Sequence, residues 1–328
     1  MATSISTSIP TSAPVDLESD SAVVGQVACH LVTPSMCGHN SLLIGRIGDW
    51  TWQLVGDACD VDVLTARNAE GQPTYLSFCY YRVVGSRRFH LRSPEFGDRL
   101  DVRSGVFSLG SESVVVLHEL RRRGPGGPLR TEPVDPAEFF RFDDPDCLYV
   151  EHYNRWVSRG ESGSNNALVQ SSPAGFRHKH LPSLPTPYSP RIPFRRALTT
   201  GTPRAAPFEV VDRCGLRFPV DISRDLNGAG LLYFASYFSI ADRALLSMWR
   251  HQGWDTTSFL DRVVLDQQMC LQGNADADTM LAVEVSWGNV ADGSRPVEVT
   301  VTDGDTGRAI AVCALELLDT PDPEESAR

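Results

Sequence analysis

Between Asp225 and Arg250 the chain reads DLNGAGLLYFASYFSIADRALLSMWR, with apolar residues at Leu231, Phe234, Phe238, Ala241, Leu245 and Met248. That spacing of three and four describes one face of an α-helix. A second stripe, Tyr233, Tyr237, Ile240 and Ala244, makes the helix apolar on two sides. Such a helix is predicted to lie inside a core or to be wrapped by a sheet. Gly228 and Gly230 at its expected start leave backbone N–H groups uncovered at the positive helix end, where anions or developing negative charge bind.

Elsewhere the pattern alternates between strand and helix. Ala22–Val32 has strand composition and leads through Met36–Ser41 into a second helical stretch, with Leu43, Ile47, Trp50 and Leu54 in phase. Gly45 and Gly48 within it predict close packing against a sheet. Tyr75–Val84 is a strand with Tyr75, Ser77, Cys79 and Tyr81 on one face. Further strands are expected at Arg99–Phe107, Ser113–Arg121 and Cys147–Trp156. The Pro-, Ser- and Arg-rich stretch that follows predicts a surface connection without helix or central strand. The second half then repeats the first: a strand at Phe208–Asp221, the long helix, and strands at Arg262–Leu271, Thr279–Trp287, Val297–Thr302 and Ala309–Leu318. A faint repeat lays GHNSLL over NGAGLL, so that Gly38 falls on Asn227 and Ser41 on Gly230. The expected organisation is a polar tail at 1–21, one domain at 22–170, a connection at 171–207, a second domain at 208–319 and a tail at 320–328. The expected fold class is α+β, a double hot-dog fold of two antiparallel sheets, each wrapped around a central helix.

Composition narrows the function. With 328 residues, 41% hydrophobic and 22% charged, the chain suits a soluble globular protein with room for two domains. A formal charge of −11 argues against nucleic acid as the main partner. No apolar run is long enough for a membrane span, and the N-terminus lacks the basic and apolar regions of a signal peptide. Eight cysteines without CxxC or zinc spacing point to buried thiols in a reducing cytoplasm. There is no P-loop, GxGxxG, HExxH or GxSxG, and Asp276 and Asp278 read as a polar turn.

The stretch Phe218–Ala244, FPVDISRDLNGAGLLYFASYFSIADRA, resembles the helix entry of hot-dog thioesterases, D-x-x-G before an apolar helix. With Gly230 as that Gly, Asn227 stands where those enzymes place a catalytic Asp, and an amide is neither base nor nucleophile. Asp225 with Gly228 also fits, with the helix two residues late. PSMCGHNSLLIGRIGDWTW, PTYLSFCYYRV and DLNGAGLLYFASY together are similar to the LnmK-type bifunctional acyltransferase/decarboxylases of polyketide biosynthesis. That resemblance implies a double hot-dog protein that decarboxylates methylmalonyl-CoA and delivers propionyl to an acyl carrier protein, with no cofactor beyond the CoA thioester. It also implies a catalytic tyrosine that carries the acyl group, placed here at Tyr75 with Tyr80 and Tyr81 as alternatives.

Each candidate also has a plain structural reading. Tyr75, with an ordinary pKa of about 10, needs assistance as a nucleophile or acts as a protonated donor; otherwise it is a packed strand residue. His39, Asn40 and Ser41, after Gly38, are either helix caps or an oxyanion site, with His39 as donor or proton source. Asn227, Gly228 and Gly230 form the matching feature in the second half. Arg121, Arg122 and Arg123, and Arg191, Arg195 and Arg196, are solvated or bind CoA phosphates or an acidic carrier protein. The rival functions are a thioesterase or dehydratase for carrier-bound thioesters and a non-catalytic thioester-binding protein. Monomer and homodimer both remain open.

Overall fold

The computed structural model describes residues 24–110, 112–124 and 131–318, so the two expected tails lie outside the described residues. In chain order the elements are β1 (Val24–Leu31), α1 (Asn40–Cys59), β2 (Tyr75–Val84), β3 (Arg99–Gly110), β4 (Ser113–Arg122), α2 (Pro136–Phe139) and β5 (Cys147–Arg159). They continue with β6 (Leu168–Gln170), α3 (Arg191–Thr200), β7 (Asp212–Pro219), α4 (Phe234–His251), β8 (Val264–Leu271), β9 (Met280–Trp287), β10 (Ser294–Asp303) and β11 (Ala309–Leu318).

The strands lie in the order β1-β3-β4-β5-β2-β8-β11-β10-β9-β7, with β6 beside the end of β5. Read from each edge inward, the halves are the same: β7-β9-β10-β11-β8 repeats β1-β3-β4-β5-β2, and α4 follows β7 as α1 follows β1. The internal repeat is therefore present in the topology. The two expected sheets are instead one, because β2 pairs antiparallel with β8 from Tyr80↔Cys270 to Val84↔Asp266. Sheet edges expose unpaired backbone groups, and joining the innermost strands satisfies both at once.

Both long helices lie on one face of this sheet, side by side and running oppositely: Gly48 meets Phe234, Gly45 meets Ala235, and Ser41 meets Ser239. The expectation that Gly45 and Gly48 pack against a sheet is corrected, since they let α4 approach. A Cβ on Gly48 would stand 2.1 Å from Cζ of Phe234. Leu43, Ile44 and Ile47 of α1 and Phe238, Ala241, Leu245 and Met248 of α4 share one buried core. The helix in the first half, expected from Ser41 to Leu54, extends to Cys59.

Two further expectations fail for local reasons. The Pro-rich connection does contain a helix, α3, because Pro190 is its N-cap and Pro193 sits in the first turn, where the missing N–H would be unpaired anyway. Moreover, α4 begins at Phe234 rather than at the glycines. Oδ1 of Asn227 accepts from the N–H groups of Ala229 (3.0 Å) and Leu231 (3.1 Å), and Leu226 bridges Leu232. Gly230 occupies positive φ (72°), which glycine tolerates. The stretch before α4 is thus a tight hairpin turn.

Candidate active site

The pairing of β2 with β8 stops at Tyr80, where β2 is irregular between Phe78 and Tyr80 against β5. Below that point the strands part, and a cavity of about 610 Å³ opens between the start of β2, the end of β8, the turn before α4 and the β5–β6 segment. Its inner wall is apolar and buried: Leu76, Phe78, Leu231, Leu232, Phe234 and Tyr237. Its rim is mixed, with Asn166 and Gln170 exposed beside Ala309 and Leu64. Tyr75, Arg155, Asn165, Asn227, Gln272, Asn274 and Arg308 add phenol, amide and guanidinium groups. Among the described residues lining it there is no Asp, Glu or His. The carboxylates Asp49, Asp57, Asp60 and Asp62 gather in a neighbouring open groove instead.

The hydroxyl of Tyr75 makes no hydrogen bond within the described residues, while Tyr237 donates to the Gly273 carbonyl at 2.7 Å. The two alternative tyrosines are fully buried outside the cavity. Tyr80 donates to Oε1 of Gln268 at 3.2 Å, Tyr81 has a buried hydroxyl without a partner among the described residues, and burial raises both pKa values well above the ordinary range. Burial likewise pushes the phenol of Tyr233 up to about 12, with Asp49 adding to it, and the thiol of Cys79 up to about 12. Neither ionises readily near neutrality.

The positive end of α4 adjoins this cavity through Tyr233 and Phe234. No side chain caps α4, and the N–H groups of Phe234 and Ala235 take no partner among the described residues. Asn227 spends its Oδ1 on the turn, which leaves its NH₂ as the side chain's donor. The turn itself is gripped from the first half. Arg159 donates to the Ala229 carbonyl at 2.5 Å, and buried Asn165 donates to the carbonyls of Gly230 (2.7 Å) and Ala275 (3.0 Å). The site is therefore assembled from both halves.

The candidates at the start of α1 do not reach it. Nδ1 of His39 bonds the Ser41 hydroxyl at 2.5 Å, Ser41 bonds Ser239 at 2.8 Å, and Asn40 donates to Asp242 at 3.2 Å, which also pairs with Arg262 at 2.6 Å. Gly38 offers its carbonyl to Arg92 at 2.6 Å. These groups tie α1 to α4 and to the loops beyond it. Arg121 is paired with Asp144, Arg122 with Asp98 (2.8 Å) and Arg123 with Asp101 (2.6 Å), all away from the cavity. Of the expected site residues, the structure brings Tyr75, Asn227 and Gly228 together, and Gly230 lies behind them in the turn.

The family model for the LnmK N-terminal hot-dog fold domain matches residues 28–205, more than half of the chain. The chain belongs to this LnmK-type hot-dog family. No curated protein matches the sequence. Among solved structures, an acyl-ACP thioesterase from Bacteroides thetaiotaomicron is similar at TM-score 0.52 and 7% identity, covering 89% of this chain and 97% of that one. The 12:0-ACP thioesterase from Umbellularia californica matches at 0.51 and 8%, over 90% and 94%. A protein from Lactobacillus plantarum assigned as an oleoyl thioesterase matches at 0.57 and 11%, over 91% and 97%. At such identities the likeness establishes the hot-dog fold across nearly the whole chain. In this LnmK-type protein, Arg155, Asn165, Asn274 and Arg308 are cavity groups that the sequence does not single out, because Arg155 lies within β5 and the others on turns or just before a strand, while the cavity elements they face are remote in sequence. Among the described residues no helix is long and apolar enough to cross a membrane.

Proposed function

We propose that this protein is a bifunctional acyltransferase/decarboxylase that converts methylmalonyl-CoA into a propionyl thioester on an acyl carrier protein. One observation supports this above the rest: the cavity holds a free phenol, amide donors and an uncapped helix start, and none of its described residues is a carboxylate or imidazole. Hydrolysis of a thioester needs a base to activate water. Decarboxylation of a malonyl thioester needs none. The electron pair of the breaking C–CO₂ bond moves into the thioester carbonyl, the site stabilises the enolate oxygen, and the α-carbon then takes its proton from water at the cavity mouth to give the propionyl group. The NH₂ of Asn227 and the N–H groups of Phe234 and Ala235 suit that task, and one such donor is worth about 3–4 kcal/mol of barrier. An apolar inner wall disfavours the localised carboxylate charge relative to the enolate, whose charge is spread onto an oxygen held by the donors.

For acyl transfer, the Tyr75 oxygen attacks the thioester carbon, the C–S bond breaks, and the phenolic proton goes to the departing CoA sulfur. The carrier thiol then attacks the tyrosyl ester, returns its proton to the phenolate and leaves with the acyl group. The reading replaces the start of α1 by the start of α4 as the oxyanion site. Tyr75→Phe is expected to keep fold and CoA-thioester affinity and to lose transfer to the carrier; full transfer by that variant would remove Tyr75 from the mechanism.

A further inference from the structure

Two arginines of the cavity rim, one from each half, have no carboxylate within ion-pair distance among the described residues. Arg155 lies on β5 opposite Ser77, and its guanidinium donates to the side-chain carbonyl of Gln170. Arg308, just before β11, donates to the side-chain carbonyl of Asn166 and to the backbone carbonyl of Asn274 at 2.8 Å. These partners fix both guanidinium groups without neutralising them, and both amides come from the short Asn165–Gln170 segment. The nearby Asp276 does not line the cavity. It accepts from Ser164 at 2.5 Å, the Asn165 N–H at 2.8 Å and Asn166 at 3.2 Å. In a chain of formal charge −11, the cavity rim thus carries two guanidinium groups outside any direct ion pair among the described residues, with Asp303 the carboxylate that feels Arg308 at longer range.

We infer that Arg155 and Arg308 form a clamp for the phosphate of the thioester's pantetheine arm. The depth order supports a phosphate rather than the acyl carboxylate. The arginines are half-buried and bound to exposed amides at the rim, while the apolar wall and the start of α4 lie inside. A thioester entering acyl end first leaves its phosphate at the rim, whereas a malonyl carboxylate would lie deep, beyond the arginines. Guanidinium is also the group best matched to phosphate oxygens. The inference rests on the proposed thioester substrate, but its phosphate is common to CoA and to a phosphopantetheinyl carrier protein.

The test compares binding of propionyl-CoA, propionyl carried on a phosphopantetheinyl carrier protein, S-propionyl-pantetheine and S-methylmalonyl-pantetheine. The proteins are the wild type, Arg155→Gln and Arg308→Gln. Each substitution is expected to weaken propionyl-CoA about tenfold or more, as for one charge-assisted hydrogen bond, and to leave both pantetheine thioesters unchanged. Loss with CoA and carrier alike assigns the clamp to the shared phosphate; loss with CoA alone assigns it to the nucleotide phosphates. Equal loss for phosphate-free thioesters, loss confined to the methylmalonyl ligand, or no loss at all would overturn the clamp. A wild type that shows the expected binding pattern without turning over methylmalonyl-CoA refutes the proposed activity and leaves the clamp standing.

Discussion

Gly48→Ala reports directly on how the helix pair shapes the cavity. The added methyl would stand 2.1 Å from Cζ and 2.8 Å from Cε1 of Phe234, against an optimal carbon–carbon separation of about 3.5–4.0 Å. The ring must therefore retreat by about 1.5 Å. It is hemmed in by Phe78 (ring centroids 4.2 Å apart), Tyr233 (4.7 Å) and Trp52 (5.8 Å), all of which line the cavity. Alanine gains about 1 kcal/mol over glycine inside a helix, whereas overpacking costs about 1–3 kcal/mol. The expected net effect is a loss of about 0–2 kcal/mol together with weaker binding of acyl thioesters. Urea unfolding and thioester titration measure the two effects, and Gly48→Ala should become stabilising in a Phe234→Ala background. A variant stabilised by about 1 kcal/mol with unaltered thioester binding would refute the close helix contact.

Two other outcomes follow from particular residues. His118 and His152 are fully buried, share the Thr51 hydroxyl at 2.9 Å each, and are held neutral by burial, with His118 lowered to about 3. Their folded pKa values lie below the unfolded value of about 6.5, so the unfolded chain takes up protons first as pH falls. Stability is expected to be full above about pH 6.5 and to decline below it by up to about 1.4 kcal/mol per unit for each histidine, and urea midpoints that stay flat from neutral pH down to about pH 5 would contradict this. Asn227→Asp keeps an acceptor for Ala229 and Leu231 but introduces the missing base. It should release free CoA from propionyl-CoA without any carrier, measured by thiol titration, and absence of hydrolysis in a variant that still binds would count against the base argument.

The core of the fold is legible where local period decides structure. The stripes from Phe234 to Met248 bury as expected, and the strand from Tyr75 to Val84 forms over its whole expected length. What fails depends on remote partners. Nothing near Tyr80 reveals that its strand will pair with Cys270, and it is this pairing that merges two sheets into one. Gly228 and Gly230 look like a helix entrance until the Asn227 side chain closes a hairpin over them. Pro193 looks like a helix breaker because its position in the first turn of α3 is set by Pro190 and by packing. Tyr75 and Asn227, singled out through the family resemblance, both line the cavity. Arg155 and Arg308 are not singled out, because a guanidinium held by neutral carbonyls carries no signature in spacing. The His39–Ser41 trio, which could equally be a helix cap by spacing, makes no side-chain cap on α1 and lies outside the cavity, with Ser41 bonded to Ser239 and Asn40 donating to Asp242.

Intact-mass analysis of a phosphopantetheinyl carrier protein, after incubation with methylmalonyl-CoA and this protein, tests the central claim most directly. The account predicts a propionyl mass on the carrier, present with the wild type and absent with Tyr75→Phe. A methylmalonyl mass, or a carrier left unloaded while CoA is released, would contradict it.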